Sequence, residues 1–407
     1  MSGPERATGR SEHPAAGAAG NRLLEWLRGH QDEMTDLLAR LARAESPTLE
    51  PQAQREAASI LEAELRGLGL AVERIPGNGT GDHLLAAPAA PEPDGGAGVP
   101  AQLLVGHLDT VWPLGTIDEM PVRLRDGMLF GPGVFDMKGG LVQMLFALRA
   151  LGELGIDPAA RPLVFVNTDE EIGSPHSRAH LEPLARGAIR AFVLEPALGA
   201  AGKLKTARKG VGRFRLRLRG QASHAGLDPE AGVSAILEAS HQIQRLFELN
   251  DRERGTTVNV GTIDGGLRPN VVAPEVVAEV EARVVSAEDA DRVEGQIRSL
   301  EPVAEGISLE VEGGFGRPPL ERTPRNRELW ELALGAAAEL GTELEEALAG
   351  GASDGNLLSA HTATLDGLGA VGEGAHARDE HVIVDRMPER AALLAMLLAS
   401  PPRRTTD

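Results

Sequence analysis

"LVFVNTDEEIGSP", residues 163–175, runs from four apolar residues (Leu163, Val164, Phe165, Val166) into the acids Asp169, Glu170 and Glu171. A short continuous apolar run reads as a strand covered on both faces, the mark of a parallel sheet inside an α/β layer. Its tip then releases two adjacent glutamates. Such a pair taken alone is a solvated loop, so the rest of the chain has to decide whether the two carboxylates have separate tasks.

Polar tips of the same kind recur. "LLVGHLDT" (103–110) sets His107 and Asp109 two apart after an apolar run, and positions i and i+2 of an extended chain face the same way. "GPGVFDMKGG" (131–140) puts Asp136 in a glycine-rich loop opening into a helix, "FVLEP" (192–196) ends in Glu195, and "GEGAHARDEH" (372–381) supplies His376. Open α/β sheets place ligands beyond the carboxyl ends of their strands, which is where these residues fall. Metal-bound imidazole usually has its second nitrogen held by a carboxylate, a part the His107/Asp109 spacing offers. Two histidines with several carboxylates suit one or two zinc ions, with manganese or cobalt as alternatives.

Around these tips the pattern is helix and strand in alternation. Helical periodicity starts near Arg22, resumes after Pro51 and returns over 139–155, between strand-like runs at "AVERI", "HLLAAPA", "AQLLVGHLD", "PLVFVNT" and "AFVLEP". This predicts a layered α/β domain with a largely parallel sheet. From residue 207 the order changes to strand 211–219, helix 231–249, strands 256–263 and 275–285, helix 287–300 and strand 307–312. That β-α-β-β-α-β order is ferredoxin-like. The expected division is a disordered tail over 1–20, a catalytic domain in two parts (21–206 and 317–400), an inserted α+β domain over 207–316, and a tail over 401–407.

Composition narrows the function classes. With 41 basic and 60 acidic residues the formal charge is −19, which opposes nucleic-acid binding unless a basic patch overrides it. One basic stretch exists, "ARKGVGRFRLRLRG" (207–220), with Arg208, Lys209, Arg213, Arg215, Arg217 and Arg219. Its arginines alternate with Phe214, Leu216 and Leu218, so it reads as a strand with one basic face, too short and too poor in aromatics for a nucleic-acid surface. The two readings are a solvated sheet face and local attraction for an anionic substrate. No apolar run reaches 18 residues, there is no cysteine, and the first 20 residues lack a hydrophobic stretch. Neither a membrane span nor a secretion signal is therefore read, and the cytoplasm is the expected compartment.

The ordered set GHLDT, FDMKGG, DEEIGS, LEP, GQASHAG and GAHARDEHV resembles the co-catalytic zinc peptidase family. That family includes carboxypeptidase G (glutamate carboxypeptidase), acetylornithine deacetylase, succinyl-diaminopimelate desuccinylase and aminoacylase. The likeness runs from about residue 22 to 400 and its wording is nearest the glutamate carboxypeptidase branch. It implies a zinc-exopeptidase-like catalytic domain with an inserted ferredoxin-like lid and dimerisation domain. It also implies a homodimer and hydrolysis of an amide bond in a small anionic substrate, next to a carboxylate-bearing amino acid, by a carboxypeptidase or, as the alternative, an N-acyl amino acid deacylase. Position by position, His107, Asp136 and Glu195 would hold one metal, and Asp136, Glu171 and His376 the other, Asp136 being the bridge. Asp109 would orient His107, and Glu170 would be the general base acting on water between the ions. His224 would stabilise the oxyanion, reaching the site from the partner subunit. Asn270 and Arg317 would bind the substrate carboxylate, and the Asp136–Met137 peptide would be cis. Where many relatives have Glu-Tyr-Val after the last ligand, this chain has Glu380, His381 and Val382, leaving His381 as a spare imidazole near the site, for packing or for supporting a ligand from behind.

Two other patterns fail their context. His176 and His180 are four apart but lack the glutamate of an HExxH site, and "GLGAVG" (367–372) has no amphipathic helix after it to carry a pyrophosphate. A non-catalytic binding protein on the same fold would be expected to have lost the base or a ligand, and here every position is filled.

Overall fold

The computed structural model describes residues 14–88 and 100–401. Its central sheet has the order β1 (Leu70–Ile75), β2 (His83–Pro88), then Arg161–Asn167, Ala101–His107, Ala188–Val193 and Ala363–Leu365. The last four run parallel, while β1 and β2 form an antiparallel edge. The parallel strands β3 (Ala101–His107), β4 (Arg161–Asn167) and β5 (Ala188–Val193) therefore end side by side, and their tips lead into Asp109, the two glutamates and Glu195.

Helices cover both faces. On one side Gly139–Glu153 and Met387–Ala399, apolar nearly all round, join the main core with Leu104, Val164 and Phe192. On the other, Arg178–Gly187 closes a smaller core of Leu103, Val105, Phe165 and Leu181. A helix apolar on every side is stable only when buried, and that sandwiching is what allows the strands to read as unbroken apolar runs. Gly140 is required by close approach: a Cβ there would stand 2.0 Å from the Leu194 carbonyl oxygen. The missing side chain lets the helix start against the end of β5, bringing Asp136 beside Glu195.

The inserted unit is a four-stranded antiparallel sheet in the order Thr257–Gly265, Glu275–Val284, Gly210–Arg219, Ser308–Arg317. Helices Ala235–Phe247 and Ala287–Arg298 pack on one face with Phe214, Leu216 and Leu218. Each helix starts at a serine cap, Ser234 and Ser286, whose side chain accepts a backbone N–H three residues on. This is the split β-α-β arrangement, joined to the α/β layers near Lys209 and Pro318.

Several sequence expectations are corrected at their edges. A helix begins at Pro14, inside the stretch expected to be a disordered tail, and residues 1–13 and 402–407 lie outside the described residues. The periodicity from Arg22 belongs to two helices, Pro14–Gly29 and Gln31–Arg43, broken at His30. The helix expected over 231–249 is Ala235–Phe247, preceded by a short turn at Pro229–Ala231. Arg208 closes the Leu204–Arg208 strand, which pairs in parallel with Glu346–Ala349 in the α/β layers, outside the lid sheet.

Candidate metal centre

The strand tips and two loops bring the site together. His107 ends its strand with its side chain buried; Nε2 lies 3.3 Å from Asp136 Oδ1 and 3.6 Å from Glu195 Oε1. The other oxygen of Asp136 faces His376, Oδ2 to Nε2 at 3.4 Å, and His376 Nε2 is 3.2 Å from Glu171 Oε2. Asp136 thus stands between the two imidazoles, one oxygen to each. The Asp136–Met137 peptide is cis, and His376 takes a left-handed backbone, φ 61°.

These separations suit bound cations. Two donors on a tetrahedral ion with bonds of ~2.1 Å stand about 3.4 Å apart. One ligand atom each from His107, Glu170 and Glu195, and one each from His107, Asp136 and Glu171, fall within 4.8 Å of one another. Glu171 Oε1 is buried with no hydrogen-bond partner. A cluster of four largely buried carboxylates with the buried His107 and the exposed His376, which leaves such an oxygen unsatisfied, is what a divalent cation would complete.

The charges bear on one another strongly. His376 is pushed up to about 10 by its contacts with Asp136 and Glu171. Burial disfavours the cation of His107, but Asp109, Asp136 and Glu195 outweigh it and raise the imidazole well above its usual range. Burial would raise Glu195, yet Arg208 and the contact with His107 hold it down to about 2. Arg208 donates from Nη2 to Glu195 Oε2 at 2.8 Å and from Nε to Asp366 Oδ2 at 2.7 Å.

Glu170 and Glu171 follow one strand and begin the 3₁₀ turn Glu170–Ile172. Adjacent side chains diverge as the chain turns. Glu171 faces His376, while Glu170 Oε1 accepts from Arg317 Nη1 at 2.5 Å. Burial pushes Glu170 up to about 8, against the opposing pull of Arg317.

Asp109 faces His107 through both its backbone oxygen and its carboxylate. His107 Nδ1 makes its 2.9 Å hydrogen bond to the backbone oxygen of Asp109, and the Asp109 carboxylate stands 3.5 Å away. That carboxylate accepts from the Glu170 and Glu171 backbone N–H groups at 3.3 and 3.2 Å and from Thr48 Oγ1 at 2.8 Å. It sets the turn that aims the two glutamates.

Further holding residues escaped the sequence reading. Glu380 is fully buried; Oε1 accepts from the Phe135 and Asp136 N–H groups and Oε2 from Gly133 N and Trp112 Nε1. It grips the loop that presents Asp136 from 244 residues away in sequence. Lys138 Nζ, also buried, donates to the Leu41 and Ala44 carbonyls at the end of helix Gln31–Arg43, where a cation is favoured. Asp354 takes Asn167 Nδ2 at 2.7 Å and the Ser174 hydroxyl, and lies 3.4 Å from Arg317 Nη2.

The remaining expected residues divide. Arg317 ends the lid's last strand and reaches the site. His224 and Asn270 lie on adjoining segments of the lid, where Ala225 N donates to Asn270 O at 3.0 Å and His224 bridges to Val271. Neither lines the cavity of about 560 Å³ that holds Glu170, Glu171, Arg317 and His376. His224 Nδ1 accepts from Gly226 N and Leu227 N, both at 3.1 Å, which leaves Nε2 as the outward donor. His381 packs against Phe130 with ring centres 5.1 Å apart.

A cluster of imidazoles and carboxylates at the tips of a parallel sheet, facing a lid that supplies an arginine, defines a metal-dependent hydrolase. The family description that matches residues 103–400 is "Peptidase family M20/M25/M40", and the chain belongs to that family. Carboxypeptidase G2 of Pseudomonas sp. (strain RS-16) is 29% identical over 388 residues, covering 93% of this chain and 91% of that protein. Acetylornithine deacetylase of Myxococcus xanthus is 31% identical over 218 residues, 50% of this chain and 55% of that protein. In fold, the aminopeptidase PepT of Bacillus cereus ATCC 10987 superposes with a TM-score of 0.72 at 24% identity, covering 93% of this chain and 98% of that one. Among the described residues no helix is long and apolar enough to cross a membrane.

Proposed function

We propose that the protein is a two-metal carboxypeptidase of the glutamate carboxypeptidase kind. It would cleave the amide bond that joins an acyl or peptidyl group to an amino acid with a free carboxylate. His107, Asp136 and Glu195 would hold one ion, and Asp136, Glu171 and His376 the other, zinc being the metal that this nitrogen and oxygen donor set suits best. When bound, such ions polarise a carbonyl and lower the pKa of water.

The chain's own residues supply the rest. Glu170 takes a proton from the attacking water and returns it to the leaving nitrogen, so that the C–N bond breaks as the new C–O bond is kept. A carboxylate raised by burial toward neutral pH suits both halves of that task. Arg317 is paired with Glu170 and stands ready for a substrate carboxylate, which would compete for the same guanidinium and loosen the base. His224, outside the cavity of its own chain, would donate Nε2–H to the oxyanion from the partner subunit of a homodimer, with Asn270 carried on the same lid surface.

The observation that carries this reading is the divergence of the two glutamates, one toward His376 and the other toward Arg317. A second reading, an N-acyl amino acid deacylase, needs the same centre and is favoured by the likeness to acetylornithine deacetylase. The test is hydrolysis by metal-loaded protein of N-acyl glutamates, folate-like conjugates, dipeptides and N-acetyl amino acids. Preference for the first groups supports the carboxypeptidase, preference for the last supports the deacylase, and failure to bind metal overturns both.

A further inference from the structure

The cavity beside the metal centre has an uneven wall. Its acids are Glu170 and Glu171, while four arginines line it: Arg178, Arg213, Arg283 and Arg317. Three of these are already engaged. Arg317 binds Glu170; Arg178 binds Glu182 at 2.7 Å and the Gly316 carbonyl at 2.7 Å; Arg283 binds Glu281 at 2.8 Å and the Gly350 carbonyl at 2.7 Å. Arg213 is exposed, and its guanidinium has no hydrogen bond, ion pair or ring contact among the described residues.

The register explains why. Arg213 lies opposite Glu281 on one neighbouring strand, but that carboxylate is taken by Arg283. On the other side it lies opposite Gly314, which has no side chain to offer. Farther along the strand the arginines are neutralised: Arg215 by Glu279 at 2.7 Å, Arg217 by Glu275 at 3.2 Å and Arg219 by Glu310 at 3.1 Å. Val211 pairs with Arg317, so Arg213 stands on the same face two residues on, about 7 Å along the strand. Among the described residues it is the strand's one cation without a partner, and it lines the cavity.

We propose that Arg213 is a specificity-determining residue that binds a second carboxylate of the substrate, so that the amino acid released has an acidic side chain. Arg317 serves the main-chain carboxylate and Arg213 the side-chain one. This rests on the carboxypeptidase reading above.

The test compares wild type, Arg213→Met, Arg213→Lys and the strand control Arg217→Met, with matched N-acyl derivatives of glutamate, aspartate, glutamine and leucine. The quantity is the ratio of kcat/KM for acidic over neutral substrates. In Arg213→Met the ratio falls about 10–100-fold, through KM for the acids, as expected for losing a charge-assisted hydrogen bond. Arg213→Lys restores part of it, a point charge lacking the two-pronged fork, and Arg217→Met leaves it unchanged. An unchanged ratio in Arg213→Met overturns the proposal. If wild type cleaves none of the panel, the carboxypeptidase reading has failed and binding decides Arg213 separately. Calorimetry of glutamate against glutamine on the metal-loaded protein then either shows a glutamate preference that Arg213→Met abolishes, or shows none and overturns the assignment.

Discussion

On the lid's open face, arginines at 215, 217 and 219 meet glutamates across strands that water reaches; Arg215 and Glu279 retain 51% and 45% of their side-chain exposure. In the catalytic layers Arg208 meets Glu195 and Asp366 at 3%, 10% and 0%. The residue types are the same and the consequences are opposite. An exposed pair gains little and is screened by salt, whereas a buried pair leaves a stranded charge when one member is removed. Charge in the lid keeps the sheet soluble, and charge at the strand tips fixes the aim of the groups that would bind metal.

Arg208→Met is the harshest way to break this contrast. It takes the guanidinium from Glu195 and Asp366, leaving Glu195 Oε2 with Lys205 only, at 3.8 Å, and Asp366 with the Ser353 hydroxyl, and should cost ~3–5 kcal/mol, measured by denaturant unfolding of the metal-free protein. Glu380→Gln comes next. An amide nitrogen must then face one of the N–H groups that Glu380 accepts, loosening the Asp136 loop, and metal affinity measured by competition with a chelator should fall about 10–100-fold. Glu238 sharpens the comparison from within the lid, because it is buried there and accepts from Val303 N and Ala304 N, both at 2.9 Å. Burial would raise its pKa, but those backbone N–H groups and Gln242 bring it below the ordinary carboxylate value. A depressed carboxylate contributes stability above its unfolded pKa and loses it as pH falls through the folded one. Glu238→Gln should therefore cost about 1–3 kcal/mol near pH 7, with the difference from wild type shrinking below pH 4 in paired unfolding curves. The smallest effect is expected for Arg215→Met, whose melting temperature should match wild type within error.

The sequence made the strand tips legible because a parallel sheet writes itself as apolar runs with polar ends. The order of the runs gave the inserted β-α-β-β-α-β unit for the same reason. What escaped it were carboxylates bound to backbone N–H groups. Glu380 serves the Asp136 loop across 244 residues, and no periodicity or spacing in a single chain marks such a bond. Asp109 was read through its neighbour His107 alone; that its carboxylate, 3.5 Å from His107 Nδ1, also accepts from the N–H groups of the glutamate turn has no mark in the sequence. Arg208 was read as part of the basic lid strand because the break at Lys209 leaves no compositional trace; its burial comes from the parallel pairing with Glu346–Ala349. The helix from Pro14 was hidden by a run of alanine and glycine with no apolar stripe of its own.

The account's central claim is that neighbouring glutamates have different duties, and metal content against activity in Glu170→Gln and Glu171→Gln tests it most directly. Glu170→Gln should keep the full metal content and lose activity by about 10²–10⁴-fold, the share of a general base. Glu171→Gln should lose metal, and activity with it. Equal metal loss in both variants, or full activity in Glu170→Gln, would contradict the division.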